Sequence, residues 1–309
     1  SMNKLASRAK ARSAGNTYVV AADPLRHTCQ SLPPAEAARI AAMQDEYLAG
    51  QTVIRIDGFI GNHPERKVKT TLWMSIEGAN IAGMQQILYF PVNTGEEKAL
   101  PSRFQVIYTP GLSDPKYPNG RVMLVDLETY TTRIIGSDYF GESKKGGLRM
   151  LNASVYRDGG LMLHAGAKIT PVKAKDGSVS RKLILVMGES GTGKTTSTFS
   201  PQGSEEIGFS EAIQDDFLMV FSGGQAFATE DGCFAIASGL RPETEPIIYK
   251  GSIDPDAWLE NVYMDGEGHL DFLKEAVSVE DIRRLKDVLL RSGVSPEDYE
   301  AYASGKKNY

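Results

Sequence analysis

Apolar and polar positions alternate in short blocks along this chain, and the period of the alternation changes from block to block. Residues 53–57 alternate apolar and polar into a strand that Gly58 stops, and residues 16–21, 68–74 and 104–108 read as further strands. Between them, a period near 3.6 predicts a helix over about 35–48. Pro33-Pro34 opens it, Ala38, Ile40, Ala41 and Leu48 lie on its apolar side, and Gly50 ends it. A second helix is expected over about 77–88. Residues 121–126 and 131–135 read as a hairpin around Leu127-Glu-Thr129, and a helix running to about Tyr156 follows the segment 137–147.

From Leu161 onward strands dominate. They are expected over 161–165, 167–172, 182–187, 217–221, 225–228 and 233–237, with tight turns at Lys175-Asp-Gly-Ser178, Gly223-Gly224 and Asp231-Gly232. The end turns helical again. Ser278 and Asp281 form a capping box, Gly293 stops that helix, and Ser295-Pro296 starts a last short one. The pattern predicts an α/β protein with mixed, α+β-like sheets. A helix-rich domain over 1–158 meets a strand-rich domain over 159–309 near Asp158-Gly-Gly160.

One block carries a chemical signature. Leu183 to Met187 form a short buried strand, and Gly188-Glu-Ser-Gly-Thr-Gly-Lys-Thr195 then spells G-x-x-x-x-G-K-[ST] where a helix is due. This is a phosphate-binding loop. Its backbone N–H groups turn inward around a polyphosphate, with Glu189, Ser190, Gly191, Thr192, Gly193 and Thr196 completing the cradle. Lys194 brings a point charge to the terminal phosphates, Thr195 a hydroxyl for Mg²⁺, and the helix start its dipole. Pro201 and Gly203 limit that helix to about two turns, and Asp215-Asp216 follows soon after, ahead of an apolar strand. So short a crossover favours an antiparallel or mixed sheet over a parallel one. It also places the acidic pair as a metal-binding group on the strand edge, with Asp215 in a catalytic role.

Composition narrows the picture in three places. The 309 residues are 24% charged and 41% hydrophobic with a net charge of -5, and without a basic patch this argues against a nucleic-acid partner. Two cysteines, Cys29 and Cys233, make no disulfide framework and point to a reducing, cytoplasmic setting. No run of eighteen apolar residues is present to span a membrane, and the basic first fourteen residues lack the apolar segment of a secretory signal; Ser1 before Met2 reads as a cloning remnant.

Taken together, the motifs resemble the ATP-dependent phosphoenolpyruvate carboxykinase family. Asp138-Tyr-Phe-Gly-Glu-Ser-Lys-Lys-Gly146 is similar to the family's Tyr-Ala-Gly-Glu-x-Lys-Lys-Gly segment. Leu161-Met-Leu-His-Ala165 is similar to its histidine strand, residues 188–195 to its kinase loop, and Gln214-Asp-Asp216 to its Gly-Asp-Asp. Upstream, Arg12-Ser-Ala-Gly-Asn-Thr-Tyr18, Arg55-Ile-Asp-Gly-Phe59 and Phe104-Gln-Val-Ile-Tyr-Thr-Pro110 match further family stretches. Glu243-Thr-Glu-Pro246 and Leu259-Glu-Asn-Val262 carry the similarity to about residue 272. The resemblance implies the family's P-loop fold, with a substrate domain ahead of a mononucleotide-binding domain. It implies that Arg12, Tyr139 and Lys145 hold the carboxylates of an oxaloacetate-like acid, and that Lys144, His164 and Asp216 bind Mn²⁺. Ser190, Gly191, Gly193, Lys194 and Thr195 would hold the phosphates of ATP, with Thr195 on Mg²⁺.

Two departures bear on activity. The family's later Asn-Thr-Arg segment and adenine pocket do not follow Asp271-Phe-Leu273, where the chain turns instead to Lys274-Glu-Ala-Val and helices. Ile236 in Cys233-Phe-Ala-Ile236 stands where the family has a phosphate-binding lysine. Losing one charge clamp on a phosphoryl transition state costs several kcal/mol of barrier. Arg241 and Lys250 are nearby candidates to replace it, and the C-terminal helices or a second subunit of a homo-oligomer are candidate surfaces for the base. Three readings stay open: a carboxykinase, a kinase of the same fold acting on a different small molecule or a protein serine, and a non-catalytic nucleotide-binding regulator.

Overall fold

The computed structural model describes residues 14–23, 30–188, 192–200, 203–291 and 294–304. Strands β1 (Thr17–Val20) and β2 (Gln30–Leu32) lead into helix α1 (Pro34–Ala49), which begins where Pro34 costs no hydrogen bond. Then come β3 (Val53–Ile60), β4 (Val68–Ser75), α2 (Ala79–Leu88), the short α3 (Gly95–Ala99) and β5 (Phe104–Thr109). The expected hairpin is β6 (Val122–Asp126) with β7 (Thr131–Ile135), and helix α4 (Phe140–Arg157) follows it.

These strands form one mixed seven-stranded sheet in the order β2-β1-β6-β7-β5-β4-β3. Its strand β6 is apolar at successive residues because both faces are covered. On β6, Val122 and Leu124 meet Ile40 of α1 on one side, while Met123 and Val125 join the core under α2 and α4 on the other.

Beyond α4 lies a second, antiparallel sheet. It is built on β8 (Leu161–Lys173), paired with β9 (Val179–Met187) and later with β10 (Glu211–Gln214) and β11 (Phe217–Phe221), which in turn pairs with β12 (Gln225–Ala228). The short helix α5 (Lys194–Phe199) follows the phosphate loop, and the sheet beside it is antiparallel, as that brevity requires. Met219 and Phe221 of β11 pack into the same core as α4, so this helix is covered by both sheets. The chain closes with α6 (Pro246–Ser252), the hairpin β13 (Val262–Met264) and β14 (Leu270–Glu275), and helices α7 (Val279–Arg284), α8 (Lys286–Arg291) and α9 (Pro296–Ala303). The Ser278–Asp281 capping box is formed; the helix it opens breaks at Leu285, and Gly293 lies outside the described residues.

Several differences from the sequence reading share one cause. Gly58 does not stop β3, which runs on to Ile60; it is glycine because a Cβ there would lie 2.3 Å from Cβ of Tyr89. Helix α4 begins at Phe140 and takes in Gly146 and Gly147, where a Cβ on Gly147 would stand 2.5 Å from Cδ1 of Ile60. The expected break at Gly166 is absent, and β8 is a single strand whose glycine admits Thr198. In each case the glycine marks close approach by a distant element rather than a chain turn. Residues 233–237 form no strand. Their apolar positions serve packing instead, Phe234 meeting Phe140 edge-on with ring centroids 4.7 Å apart.

Candidate active site

Sheet register brings the site together. Residues 161–164 of β8 pair with β11, and from Ala165 the same strand pairs with β9. His164 is therefore opposite Phe217, the Ala165 N–H donates to the carbonyl of Asp216 at 2.9 Å, and Ala165 is also opposite Met187, the last residue before the phosphate loop. One strand sets histidine, acidic pair and loop side by side.

Two donor groups meet at Asp216. His164 Nε2 is 2.8 Å from its Oδ1, with the imidazole stacked on Phe217, and the Lys144 ammonium contacts Oδ2. Lys144 comes from the second turn of α4 and is almost fully buried. Its Nζ also lies 2.9 Å from Oε2 of Glu230. Burial works against the ammonium, and Glu230 and Asp216 more than offset it, holding the lysine charged above its usual range. Burial pushes the Glu230 carboxyl up to about 7 in spite of Lys144.

Glu230 is the residue that the sequence reading missed. It sits just past β12 in an unremarkable Thr-Glu-Asp-Gly turn, and only the β11–β12 hairpin and Gln214, which accepts from the Glu230 N–H at 3.3 Å, carry it to Lys144. No local signal marks it.

Asp215 faces the phosphate loop. Thr195 Oγ1 donates to its Oδ2 at 3.1 Å, and Cys233 Sγ approaches the same oxygen at 3.4 Å. Burial raises its pKa, and its other oxygen is buried without a hydrogen-bond partner among the described residues. Desolvation around the sulfur and the neighbouring Asp215 carboxylate push the thiol of Cys233 up, although the residue as a whole is exposed. Gly193, in the left-handed region at φ 86°, turns the loop into α5, and Lys194 folds back so that Nζ donates to Gly188 O at 2.9 Å. Thr196 Oγ1 donates to Glu245 Oε1 at 2.9 Å, and Thr192 is exposed. Glu189, Ser190 and Gly191 lie outside the described residues, as do Arg12 and Cys29.

Tyr139 and Lys145 form a second pair at the start of α4. Lys145 Nζ stands 5.8 Å from the Tyr139 ring centroid and 3.7 Å from Glu142 Oε1. Glu142 is buried and accepts from Arg149 at 2.7 Å. Ile236 is 74% exposed, and Arg241 and Lys250 are exposed as well.

A buried lysine between two carboxylates, one of which also meets a histidine, beside a phosphate loop whose threonine meets a third carboxylate, is a specific arrangement. The family model for phosphoenolpyruvate carboxykinase matches residues 2–283 of this chain. The chain belongs to that family. Among its relatives, the phosphoenolpyruvate carboxykinase (ATP) of Aeropyrum pernix is 36% identical over 156 residues, covering 48% of this chain and 30% of that protein. The glycosomal phosphoenolpyruvate carboxykinase (ATP) of Trypanosoma brucei brucei is 33% identical over 190 residues, covering 61% and 34%. That of Leptospira biflexa is 36% identical over 178 residues, covering 56% and 30%. The matched segments span about a third of the length of these carboxykinases.

The donor set fits a divalent cation. His164 Nε2 and Lys144 Nζ approach the two oxygens of Asp216, a nitrogen-and-oxygen donor set that suits a divalent cation once the lysine has given up its proton. Beside Thr195, the buried Asp215 oxygen without a hydrogen-bond partner among the described residues suits a divalent cation as well. No helix among the described residues is long and apolar enough to cross a membrane.

Proposed function

We propose that this carboxykinase-family chain carries out ATP-dependent phosphoryl transfer, converting oxaloacetate and ATP to phosphoenolpyruvate, CO₂ and ADP. The observation that carries this reading is the meeting of Lys144, His164 and Asp216 one strand register away from Thr195 and Asp215. That spacing suits a reaction joining two half-sites, one that generates an enolate and one that delivers a phosphoryl group.

The residues divide the work as follows. Tyr139 and Lys145, with Arg12, hold and orient the carboxylates of the keto-acid, and Glu142 keeps the Lys145 ammonium on the exposed side of α4. Loss of CO₂ leaves the electron pair as an enolate, whose oxygen attacks the terminal phosphorus while ADP departs. Lys194 and the backbone of residues 188–193, Glu189, Ser190 and Gly191 among them, neutralise the phosphates. Thr195 and Asp215, which share a hydrogen bond, would hold the nucleotide's Mg²⁺, and Thr196 and Glu245 fix the helix start beside it. Lys144, His164 and Asp216 would hold Mn²⁺, which supplies positive charge to the oxygen that becomes negative. A cytoplasmic setting agrees with the cysteine usage.

A kinase acting on another acceptor is the second reading, and one observation favours it. The side chain of Ile236 is open to solvent where the family resemblance places a phosphate-binding lysine. Phosphoenolpyruvate formation from oxaloacetate, ATP, Mg²⁺ and Mn²⁺, beside a Lys194→Ala control, tests the two. Product that disappears with Lys194→Ala supports the carboxykinase reading. No product, with ATP still bound in a Lys194-dependent way, overturns it and leaves the second reading.

A further inference from the structure

Helix α5 has only six residues, Lys194–Phe199, yet it carries Lys194 and Thr195 on its first turn. An isolated helix of that length does not hold together in water. The last carbonyls of any helix also lack intrahelical partners. What fixes α5 lies across from it on β8. Lys168, only 2% exposed, sends its Nζ to the carbonyls of Ser197 and Ser200, both at 2.8 Å. A cation at a helix C-terminus meets both the orphan carbonyls and the negative end of the dipole.

Two residues earlier on the same face of β8, Gly166 lets Thr198 sit directly against the strand; a Cβ there would lie 1.9 Å from Thr198 Oγ1. Two residues later, Thr170 shares a 2.5 Å hydrogen bond with Ser210, which in turn meets Ser204 at 2.7 Å. Gly166, Lys168 and Thr170 form a track on which the loop helix and the turn after it are seated. The opposite face carries Ala165 and Ala167 in an apolar core.

We propose that Lys168 is a positioning residue for nucleotide binding: it anchors the C-terminal end of α5 so that Lys194 and Thr195 face the phosphates. The inference rests on the nucleotide-binding reading of the loop. Burial lowers the pKa of Lys168, so the ammonium is held there at a cost in desolvation, which the two carbonyls offset. The anchor engages 197 and 200, one turn beyond the phosphate-facing residues. Without it the helix frays from its far end, and the first turn loses its orientation although no group that touches nucleotide has changed.

The molecule supplies its own control. Lys69 on β4 is a second buried lysine, and its Nζ donates to the carbonyls of Glu97, Lys98 and Leu100 around the end of α3, on the seven-stranded sheet. The test is MgATP affinity of the full chain by calorimetry, for the wild type, Lys168→Met, Lys69→Met and Lys194→Ala. Amide hydrogen exchange over 197–200 is followed in the same proteins without nucleotide. The expected result is a Kd raised tenfold or more and faster exchange in Lys168→Met, with Lys69→Met within twofold of wild type in Kd and unchanged in exchange at these amides. A folded Lys168→Met with wild-type affinity overturns the inference, and so does an equal loss in Lys69→Met. Should Lys168→Met fail to fold, Lys168→Gln is read in the same way. If the wild type binds no MgATP, the loop reading fails by itself; unchanged exchange at 197–200 would then separately overturn the anchor.

Discussion

Replacing Lys144 by Met removes a cation that faces both Asp216 and Glu230. The cost depends on pH in a way that the Glu230 carboxyl sets. With Lys144 present that carboxyl titrates at about 7, against 4.5 when free. A carboxyl raised in the folded state holds its proton more tightly folded than unfolded. The native protein therefore loses stability through this group as pH rises from 4.5 to about 7, and is level above. Taking away the ammonium raises the folded value further, so Lys144→Met goes on losing where the wild type is level. Below pH 7 the two stability curves run parallel; above it they diverge by about 1.4 kcal/mol per pH unit, or about 2.7 kcal/mol by pH 9. The divergence stops at the roughly 3–5 kcal/mol that an unpaired buried charge costs. Urea denaturation in chelator at pH 6, 7.5 and 9 measures it, and Lys144→Met/Glu230→Gln should restore parallel curves. The same difference between variant and wild type at pH 6 and pH 9 would refute the reasoning.

Because Lys144 is held charged and must shed its proton to ligate a metal, Mn²⁺ affinity should rise with pH, by up to about tenfold per unit, with proton release visible as a buffer-dependent calorimetric enthalpy; an affinity flat between pH 6 and 8 would exclude Lys144 as a ligand. Gly147→Ala should destabilise the protein by about 1 kcal/mol, an overpacking cost of about 1–3 kcal/mol against Ile60 set against about 1 kcal/mol of helix propensity. Ile60→Val in the same background removes the clashing Cδ1 and should recover part of that loss in thermal denaturation. Thr94→Ala takes away the hydroxyl that accepts from the Glu97 N–H at 3.0 Å in the capping box of α3 and should cost about 1 kcal/mol. No loss in urea denaturation would mean that this cap contributes nothing.

Much of the molecule was legible from local pattern. Short apolar and β-branched blocks bounded by turn residues marked β4, β5, β6, β7, β11 and β12 within a residue or two. The phosphate loop was legible for a related reason: strand, glycine turn, Lys194 and Thr195 are contiguous, and their chemistry lies in backbone and side chains a few residues apart. The family resemblance joined Tyr139, Lys144, His164 and Asp216 by motif alone. Other features lay beyond the reach of any local pattern. Gly58, Gly147 and Gly166 looked like punctuation, yet each answers to a residue from another element, Tyr89, Ile60 and Thr198. Glu230 carries no motif and reaches Lys144 through a hairpin and a helix that are 86 positions apart in number only. Lys168 reads as one more strand lysine until β8 and α5 are side by side. Contiguous chemistry and local apolar pattern are properties of the chain itself. Close approach, burial of a charge and the pairing of distant carboxylates exist only once the sheets have packed, because their energies depend on which groups exclude water from which.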